Sequence, residues 1–400
     1  MANRVRLAVA IVVALLLAWA TFSHAMVTVT HARNPRMALR FDGDDPVALV
    51  RAAQAELAAA TTRQNARRAL EAARLSIRGY ALNARAFQML GMMDEGASTE
   101  EAVAKLMTFS NRLSRHDLST QLALIEQAVR RNDVAAALDH YDITLRRSPA
   151  SETLLYPVLT KALDEPAIRR RFIPYIQDPP PWMQRFLSYA LANTTNPAAL
   201  AQLSAEAGGF PKGPEYEDFD GFLIRRFADV NDYAGALRYY GRLGGDSERV
   251  LTSAEMTASS TDQRYAPITW QPFVLEGMNA SFVTASGDQL HLEAQLESTF
   301  SGPIARKVLK LPPGTYSFSA DQRSEDPGPV SRLAWRIGCP GTVPTLLFSR
   351  TEPLAQSATV RGTFAVTSGC PIQVITVEGT AGTETGGLDV SIGPVRIARN

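Results

Sequence analysis

Two stretches of the chain, about a hundred residues apart, have nearly the same sequence. RNDVAAALDHYDITLRRSP begins at Arg131, and VNDYAGALRYYGRL begins at Val230. Aligning NARRALEAARLSI, TEEAVAKLMTFSN and NDVAAALDHYDIT places Ala69, Val103 and Ala137 in equivalent positions, each 34 residues from the last. Repetition at this period predicts stacked copies of one supersecondary unit, because a single copy cannot bury its apolar face alone.

The region 45–244 that contains these copies is rich in Ala, Leu and Arg, and its apolar residues recur every three or four positions. This spacing is typical of amphipathic helices. Short polar turns separate the helices, and the side chain of Ser98 or Asp133 is suited to accept a backbone N–H bond that starts the next helix. We therefore expect an array of helices over this region.

The 34-residue period resembles that of the tetratricopeptide repeat. Ala137, Tyr141 and Pro149 occupy the places where that repeat has a small residue, an aromatic residue and a helix-ending proline. Ala236 and Tyr240 repeat the first two in the later copy. The resemblance implies an α-solenoid of five to six helix pairs, with these residues packing the repeats and with a groove that docks a protein partner. A generic helical bundle is the alternative.

The first residues have the features of an export segment. Two arginines precede an uncharged apolar run from Leu7 to Phe22, and Ser23-His24-Ala25 follows as a small-residue cleavage pattern. Segment 1–29 is thus either a signal peptide cleaved near Ala25 or a single anchor that crosses the membrane through residues 7–29. The composition is typical of a bacterium. We expect a single-pass inner-membrane protein with its C-terminal part in the periplasm, or alternatively a soluble periplasmic or secreted protein.

The pattern changes after Gly245. Segment 245–261 is rich in Ser and Thr and is predicted to be a linker, as is 30–44. Short alternating runs bounded by Gly, Pro and Asp then fill 262–400, which predicts about ten strands in an antiparallel two-sheet β-sandwich. The expected fold class is therefore multidomain, α then β.

The chain has two cysteines, Cys339 and Cys370. An exported chain with an even number of cysteines can oxidise them, so we expect one disulfide. Two buried free thiols are the alternative. Two such ligands without a nearby histidine make a poor metal site, so no metal is expected.

The run LPPGTYSFSADQRSE, a following strand that carries a tryptophan and the terminal LDVSIGPVRIA resemble jelly-roll carbohydrate-binding modules. The resemblance implies a sandwich that binds a polysaccharide. Sugar binding commonly uses aromatic platforms, and the large aromatic residues available are Trp270, Phe273 and Trp335. Core packing is the competing interpretation for each of them, most of all for Trp335, which alternates with Leu333 and Ile337.

The sequence contains no recognisable catalytic or cofactor motif. It lacks H-E-x-x-H, G-x-S-x-G, a Walker loop and a dinucleotide fingerprint, so no cofactor is expected. A pair of glycosidase carboxylates is not excluded, and Asp321 and Glu325 are candidates only as loop residues. With 41 basic and 40 acidic residues, no bulk nucleic-acid binding is expected.

These observations predict a non-catalytic periplasmic scaffold for the assembly or export of envelope polysaccharide. The repeat domain would dock a protein and the sandwich would bind a second ligand. Two alternatives stay open: a glycan-active enzyme with a site between the two halves, and a purely structural sandwich that caps the solenoid.

Overall fold

The computed structural model describes residues 2–93, 99–245, 248–286, 289–325, 330–341, 344–383 and 387–400. The described chain forms two compact units, Met1–Leu155 and Tyr156–Asn400. Helices precede strands, as predicted, and the strands form two antiparallel sheets. Ser98, proposed as a helix start, lies outside the described residues, and Thr99 caps the helix that follows it.

The first unit is helical. Its elements are α1 (Ala2–Thr30), α2 (Pro35–Phe41), α3 (Pro46–Ala59), α4 (Arg63–Gly79), α5 (Ala84–Met93), α6 (Glu100–Leu113), α7 (Leu118–Arg130) and α8 (Val134–Arg147), followed by a 3-10 turn at Pro149–Ser151. Helices α3 and α4, α5 and α6, and α7 and α8 pack as successive hairpins. The division between the units falls inside α9 (Glu152–Ala162).

The second unit begins with helices and ends with strands. Its helices are α10 (Pro166–Gln177), α11 (Met183–Asn193), α12 (Pro197–Ala207), α13 (Phe219–Asp229), α14 (Tyr233–Arg242) and α15 (Glu248–Thr252), with 3-10 turns at Pro214–Tyr216 and Gln263–Tyr265. Its strands are β1 (Gln271–Pro272), β2 (Val274–Leu275), β3 (Met278–Ser286), β4 (Gln289–Leu296), β5 (Ser301–Leu309), β6 (Gly314–Arg323), β7 (Arg332–Cys339), β8 (Thr345–Pro353), β9 (Ala358–Val366), β10 (Gln373–Thr380) and β11 (Leu388–Arg399).

The repeated sequence forms the same helix-to-helix turn twice. Asn132 and Asn231 have φ values of 54° and 62°, in the left-handed region that a short amide side chain tolerates better than most others. The following Asp133 and Asp232 accept bonds from backbone N–H groups at the start of α8 and α14. Asn therefore closes one helix and Asp opens the next, which explains why the dipeptide recurs.

The six repeat positions lie on helices. Ala69 on α4, Ala137 and Tyr141 on α8, and Ala236 and Tyr240 on α14 are all buried. Val103 on α6 is half-buried, and the neighbouring Ala104 and Met107 are the buried apolar side chains among the described residues of that helix.

The strands form two sheets that enclose one apolar core. The five-stranded sheet has the order β1-β5-β10-β7-β8, and the six-stranded sheet has the order β2-β3-β4-β11-β6-β9. Tyr316, Phe318 and Ala320 alternate along TYSFSAD, which predicts that they share one face, and all three side chains lie in the core. Segment 245–261, expected to be a linker, contributes Ala254 and Met256 to this core.

Helices of the same unit cover the outer face of the five-stranded sheet along β5 and β10. Val308 on β5 forms an apolar cluster with Ala228 and Tyr233 from α13 and α14, and Val374 on β10 packs against it. Strand β10 starts at Gln373, and its core-facing side chains are Gln373, Ile375 and Val377. From the sequence, the alternation of Cys370, Ile372 and Val374 in CPIQV predicts that all three face the core. This prediction is wrong for Ile372 and Val374, which pack on the helix side, because this strand has apolar residues on both faces.

The predicted disulfide is present. Cys339 at the end of β7 and Cys370 before β10 are joined with an S–S length of 2.02 Å. The bond links two neighbouring strands of the five-stranded sheet.

Candidate functional site

The two tryptophans proposed as sugar platforms are buried in the sandwich. Trp270 and Trp335 both have 0% exposure. The indole N–H of Trp270 donates to the Ala254 carbonyl at 3.0 Å, and that of Trp335 donates to Gln322 at 3.3 Å. The expectation that they present a ring to a ligand is corrected, because their faces pack against core side chains and their polar atoms are used inside the domain.

Phe273 is half-buried between β1 and β2. The guanidinium of Arg306 lies 5.5 Å from its ring centroid. Arg306 is held there by a 2.7 Å bond from its Nε to Gln271. One face of the Phe273 ring is therefore covered by an arginine, which leaves it a poor platform for a sugar.

A groove of about 630 Å³ opens on the helical unit. We name it the methionine groove after the apolar residues on its wall, Leu57 on α3 and Met89, Met92 and Met93 on α5. Arg85 and the residues 116–119 at the start of α7 complete the wall. Met92 is 59% exposed, so the groove presents adaptable apolar surface to solvent.

The sandwich carries a second opening, of about 760 Å³, on the outer face of the six-stranded sheet. We name it the polar pocket. Its lining comes from β4, β11, the end of β6 and the connection between β8 and β9, and consists of Glu293, Ala294, Gln295, Arg323, Ser324, Glu325, Gln356, Asp389 and Ser391. None of these lining residues is aromatic.

Strand register places the pocket side chains in rows across three neighbouring strands. Ser391 on β11 pairs with Glu293 on β4 and, on its other side, with Arg323 on β6. Asp389 pairs with Gln295 in the next row. Because side chains alternate along a strand, these residues share the outer face while their neighbours, such as Leu292 and Val390, enter the core.

Hydrogen bonds fix part of the pocket wall. The Ser391 hydroxyl donates to Glu293 Oε1 at 2.7 Å and orients that carboxylate. The Ser324 backbone N–H donates to the Ala355 carbonyl at 3.1 Å, which ties the end of β6 to the connection that carries Gln356. The wall is thus built from strands and a tethered connection.

Most charged groups of the pocket are not satisfied by one another. The charged side-chain groups of Asp389, Glu325 and Arg323 make no hydrogen bond or ion pair with any residue in the described ranges. The Ser324 side chain is 3% exposed, and its hydroxyl also has no partner among them. These groups are consequently available to bind a ligand rich in hydroxyl or other hydrogen-bonding groups.

The candidate acids named from the sequence have different positions. Asp321 lies within β6 and accepts a 2.6 Å bond from the Thr359 hydroxyl, whereas Glu325 lines the polar pocket. The sequence reasoning missed Glu293, Asp389 and their neighbours. In QLHLEAQL and LDVSI, polar residues alternate with apolar ones, and Glu293 and Asp389 are among the polar positions. This alternation indicates an exposed face, but it does not show that β4 and β11 are adjacent.

No group of three or more His, Cys, Asp or Glu side chains is placed to hold a metal ion in the part of the chain that is described. Helix α1 is the one described helix long and apolar enough to cross a membrane by length and composition, through Arg6–Thr30. A signal sequence has the same character, so this helix is apolar enough to be a signal or an anchor.

No protein-family model matches this chain. No curated protein sequence matches it either.

The β-sandwich resembles several solved structures. One is a carbohydrate-binding module in complex with β-1,4-galactotriose, with 13% identity over 33% of this chain and 88% of that one and a TM-score of 0.25. Another is a C-terminal family 22 carbohydrate-binding module of Clostridium thermocellum, with 16% identity over 32% and 84% and a TM-score of 0.25.

A third is the N-terminal cellulose-binding domain of a Cellulomonas fimi β-1,4-glucanase, with 14% identity over 31% and 90% and a TM-score of 0.23. These identities and TM-scores are too low to support an inference about what this chain binds.

Proposed function

We propose that the protein is a non-catalytic, membrane-anchored binding protein whose sandwich binds a saccharide in the polar pocket outside the cytoplasm. The observation that carries the proposal is the pocket itself. It is an opening of about 760 Å³ in which Glu293, Gln295 and Asp389 come from adjacent strands, and Glu325 and Gln356 come from the connections beside them. Ligand sites on strands are held more precisely than sites on loops.

The chemistry of the lining supports a polyhydroxylated ligand. Carboxylate oxygens accept hydrogen bonds from hydroxyl groups, and charge-assisted bonds of this kind are shorter and stronger than neutral ones. The amides of Gln295 and Gln356 both donate and accept, so they match the dual character of a sugar hydroxyl. On the five-stranded sheet, helices cover the outer face along β5 and β10, whereas the pocket lies on the outer face of the six-stranded sheet, where a large glycan can reach it.

The contacts of α1 support retention of this helix as an anchor. Its 29 residues span roughly 44 Å, more than the ~30 Å of a bilayer core. The side chains from Leu7 to Phe22 are mostly exposed, as lipid contact requires, whereas Val27 is 5% exposed. Ser23 Oγ donates to the Phe41 carbonyl at 3.3 Å. Cleavage near Ala25 would remove the Ser23 contact and divide a continuous helix.

The membrane fraction tests the anchor directly. Mass spectrometry of protein that resists alkaline extraction is expected to detect peptides from residues 7–25. A mature chain that starts at Met26 and is recovered in the soluble fraction would overturn the anchor.

For the helical unit, we propose docking of a protein partner at the methionine groove, as part of a tetratricopeptide-like array. The three successive helix hairpins and the 34-residue spacing of Ala69, Val103 and Ala137 support this assignment. A scaffold for envelope polysaccharide would need both surfaces. The test places a photo-crosslinking residue at Met92 and, in a separate variant, at Leu75, which is 50% exposed and lies outside the groove. A protein crosslinked in cells from position 92 but not from position 75 is the expected result.

The saccharide proposal is tested on the full chain in detergent, with a panel of neutral, amino and acidic glycans measured by calorimetry. Binding of at least one glycan is expected, together with a tenfold or greater loss in a Glu293→Gln/Asp389→Asn double variant. Glu276→Gln, which changes an exposed carboxylate of the same domain outside the pocket, is the matched control and should bind normally.

Thermal unfolding of both variants shows whether the substitutions act on the fold. No binding across the panel, or equal binding by the folded double variant, would refute the pocket as a saccharide site. Release of new reducing ends from a bound glycan would refute the non-catalytic assignment.

A further inference from the structure

The polar pocket has a charge opposite to that of the chain as a whole. Glu293, Glu325 and Asp389 against the single Arg323 leave a formal charge of −2 on its lining, whereas the whole chain carries a formal charge of +1. The negative charge is therefore a local property of this face.

The charge is not neutralised within the pocket. On the five-stranded sheet, exposed charges do form pairs: Arg336 lies 2.6 Å from Glu378, and Arg350 lies 2.6 Å from Glu352. In the polar pocket, Arg323 forms no ion pair with any described residue, although Glu293 lies in the same row of the sheet. A carboxylate without an ion-pair partner favours a cationic group of the ligand.

A buried hydroxyl in the pocket points independently to a ligand. Ser324 is 3% exposed, lines the pocket and has no hydrogen-bond partner for its hydroxyl among the described residues. Leaving a buried polar group unsatisfied costs about 1–3 kcal/mol. A bound ligand that supplies a hydroxyl or amino group would satisfy it.

The lining also excludes the usual way of binding a neutral pyranose. Stacking on the apolar face of a sugar ring needs an exposed aromatic side chain, and none lines the described pocket. Affinity must come from polar and charged contacts instead. A protonated amine supplies three donors and a positive charge, which match the acceptor-only carboxylates.

We propose that the polar pocket selects saccharides with free protonated amino groups, such as de-N-acetylated hexosamine oligomers, over neutral and acidic saccharides. This inference rests on the proposed saccharide-binding function. The carboxylates would hold the ammonium group, and Gln295, Gln356 and Ser324 would hold neighbouring hydroxyls.

The test compares glucosamine hexamer with N-acetylglucosamine hexamer on the full chain in detergent at pH 6, where the free amine is protonated. These ligands share a backbone and length and differ in the charge that the proposal requires. The glucosamine hexamer is expected to bind at least tenfold more tightly, and raising NaCl from 50 to 500 mM should reduce this advantage severalfold.

Asp389→Asn should weaken glucosamine hexamer binding at least fivefold, and Glu276→Gln should leave it unchanged. Equal affinity for the two hexamers would overturn the selectivity while leaving the saccharide site standing. No binding of either hexamer or of any glycan in the wider panel would remove the saccharide site itself. A hexalysine peptide that binds as tightly as the glucosamine hexamer would show a general polycation site and would also overturn the proposal.

Discussion

Lys307 offers a measurable test of how the second unit is held together. Its side chain has 0% exposure, and its Nζ donates to the carbonyls of Val250 and Ile268, each at 2.8 Å. Burial lowers the pKa of this ammonium from 10.5 to about 7. At 1.36 kcal/mol for each unit of pKa, the charged form destabilises the folded state by about 5 kcal/mol below pH 7.

The sign of the pH dependence follows from proton counts. Between pH 7 and 10.5 the unfolded chain binds the Lys307 proton and the folded chain does not, so the free energy of unfolding rises with pH. From pH 7 to pH 9 the rise is about 2 to 3 kcal/mol from this group. Below pH 7 both states are protonated, and the contribution no longer changes with pH.

The assay is urea unfolding of the wild type and of Lys307→Met at pH 7, 8 and 9, followed by the fluorescence of the buried tryptophans. Other groups titrate in both proteins, so the difference between the two free energies of unfolding isolates Lys307. As pH rises, the free energy of unfolding of the wild type is expected to increase relative to that of the variant. Parallel curves for the two proteins would refute a buried lysine with a lowered pKa.

Three further outcomes are expected. Replacing Cys339 and Cys370 by serine, which opens a loop with a sequence separation of 31, should lower the free energy of unfolding by about 4 kcal/mol in a denaturant titration. Asn132→Ala should lower it by about 1 kcal/mol and Asn132→Gly by much less, since glycine adopts positive φ freely; equal effects would contradict the turn conformation. Fragment 156–400 should unfold cooperatively, whereas 262–400 should bind a hydrophobic dye, because Ala254 and Met256 are core residues.

The helical turns were readable from the sequence because their physical cause is local. An asparagine that tolerates positive φ and an aspartate that accepts backbone N–H bonds act on residues within one turn of the chain. The recurrence of Asn-Asp at 132 and 231 is therefore a sequence signal that marks both turns. Period and alternation likewise predicted helices followed by a sandwich.

The candidate site was not readable in the same way, because its parts are distant in sequence. Glu293 and Ser391 are hydrogen-bonded neighbours, yet β5 to β10 lie between their strands in the chain. No short window contains that pairing. The hypothesis that Trp335 is an exposed sugar platform was wrong for a local reason. Trp335 alternates with Leu333 and Ile337, and this pattern placed it on the core side. The alternation is a stronger indication of burial than aromatic character is of sugar binding.

The sequence does indicate which strands have one solvated face and which are covered on both faces. Strands β4 and β11 alternate apolar and polar residues, as a sheet with one solvated face requires. Strand β10 instead begins QVITV, and Val374 packs on the helices while Ile375 and Val377 enter the sandwich core. A nearly continuous apolar run marks a strand that is covered on both sides. The contrast between these runs distinguishes a strand that packs on the helices from strands whose outer face is left to solvent and to a ligand.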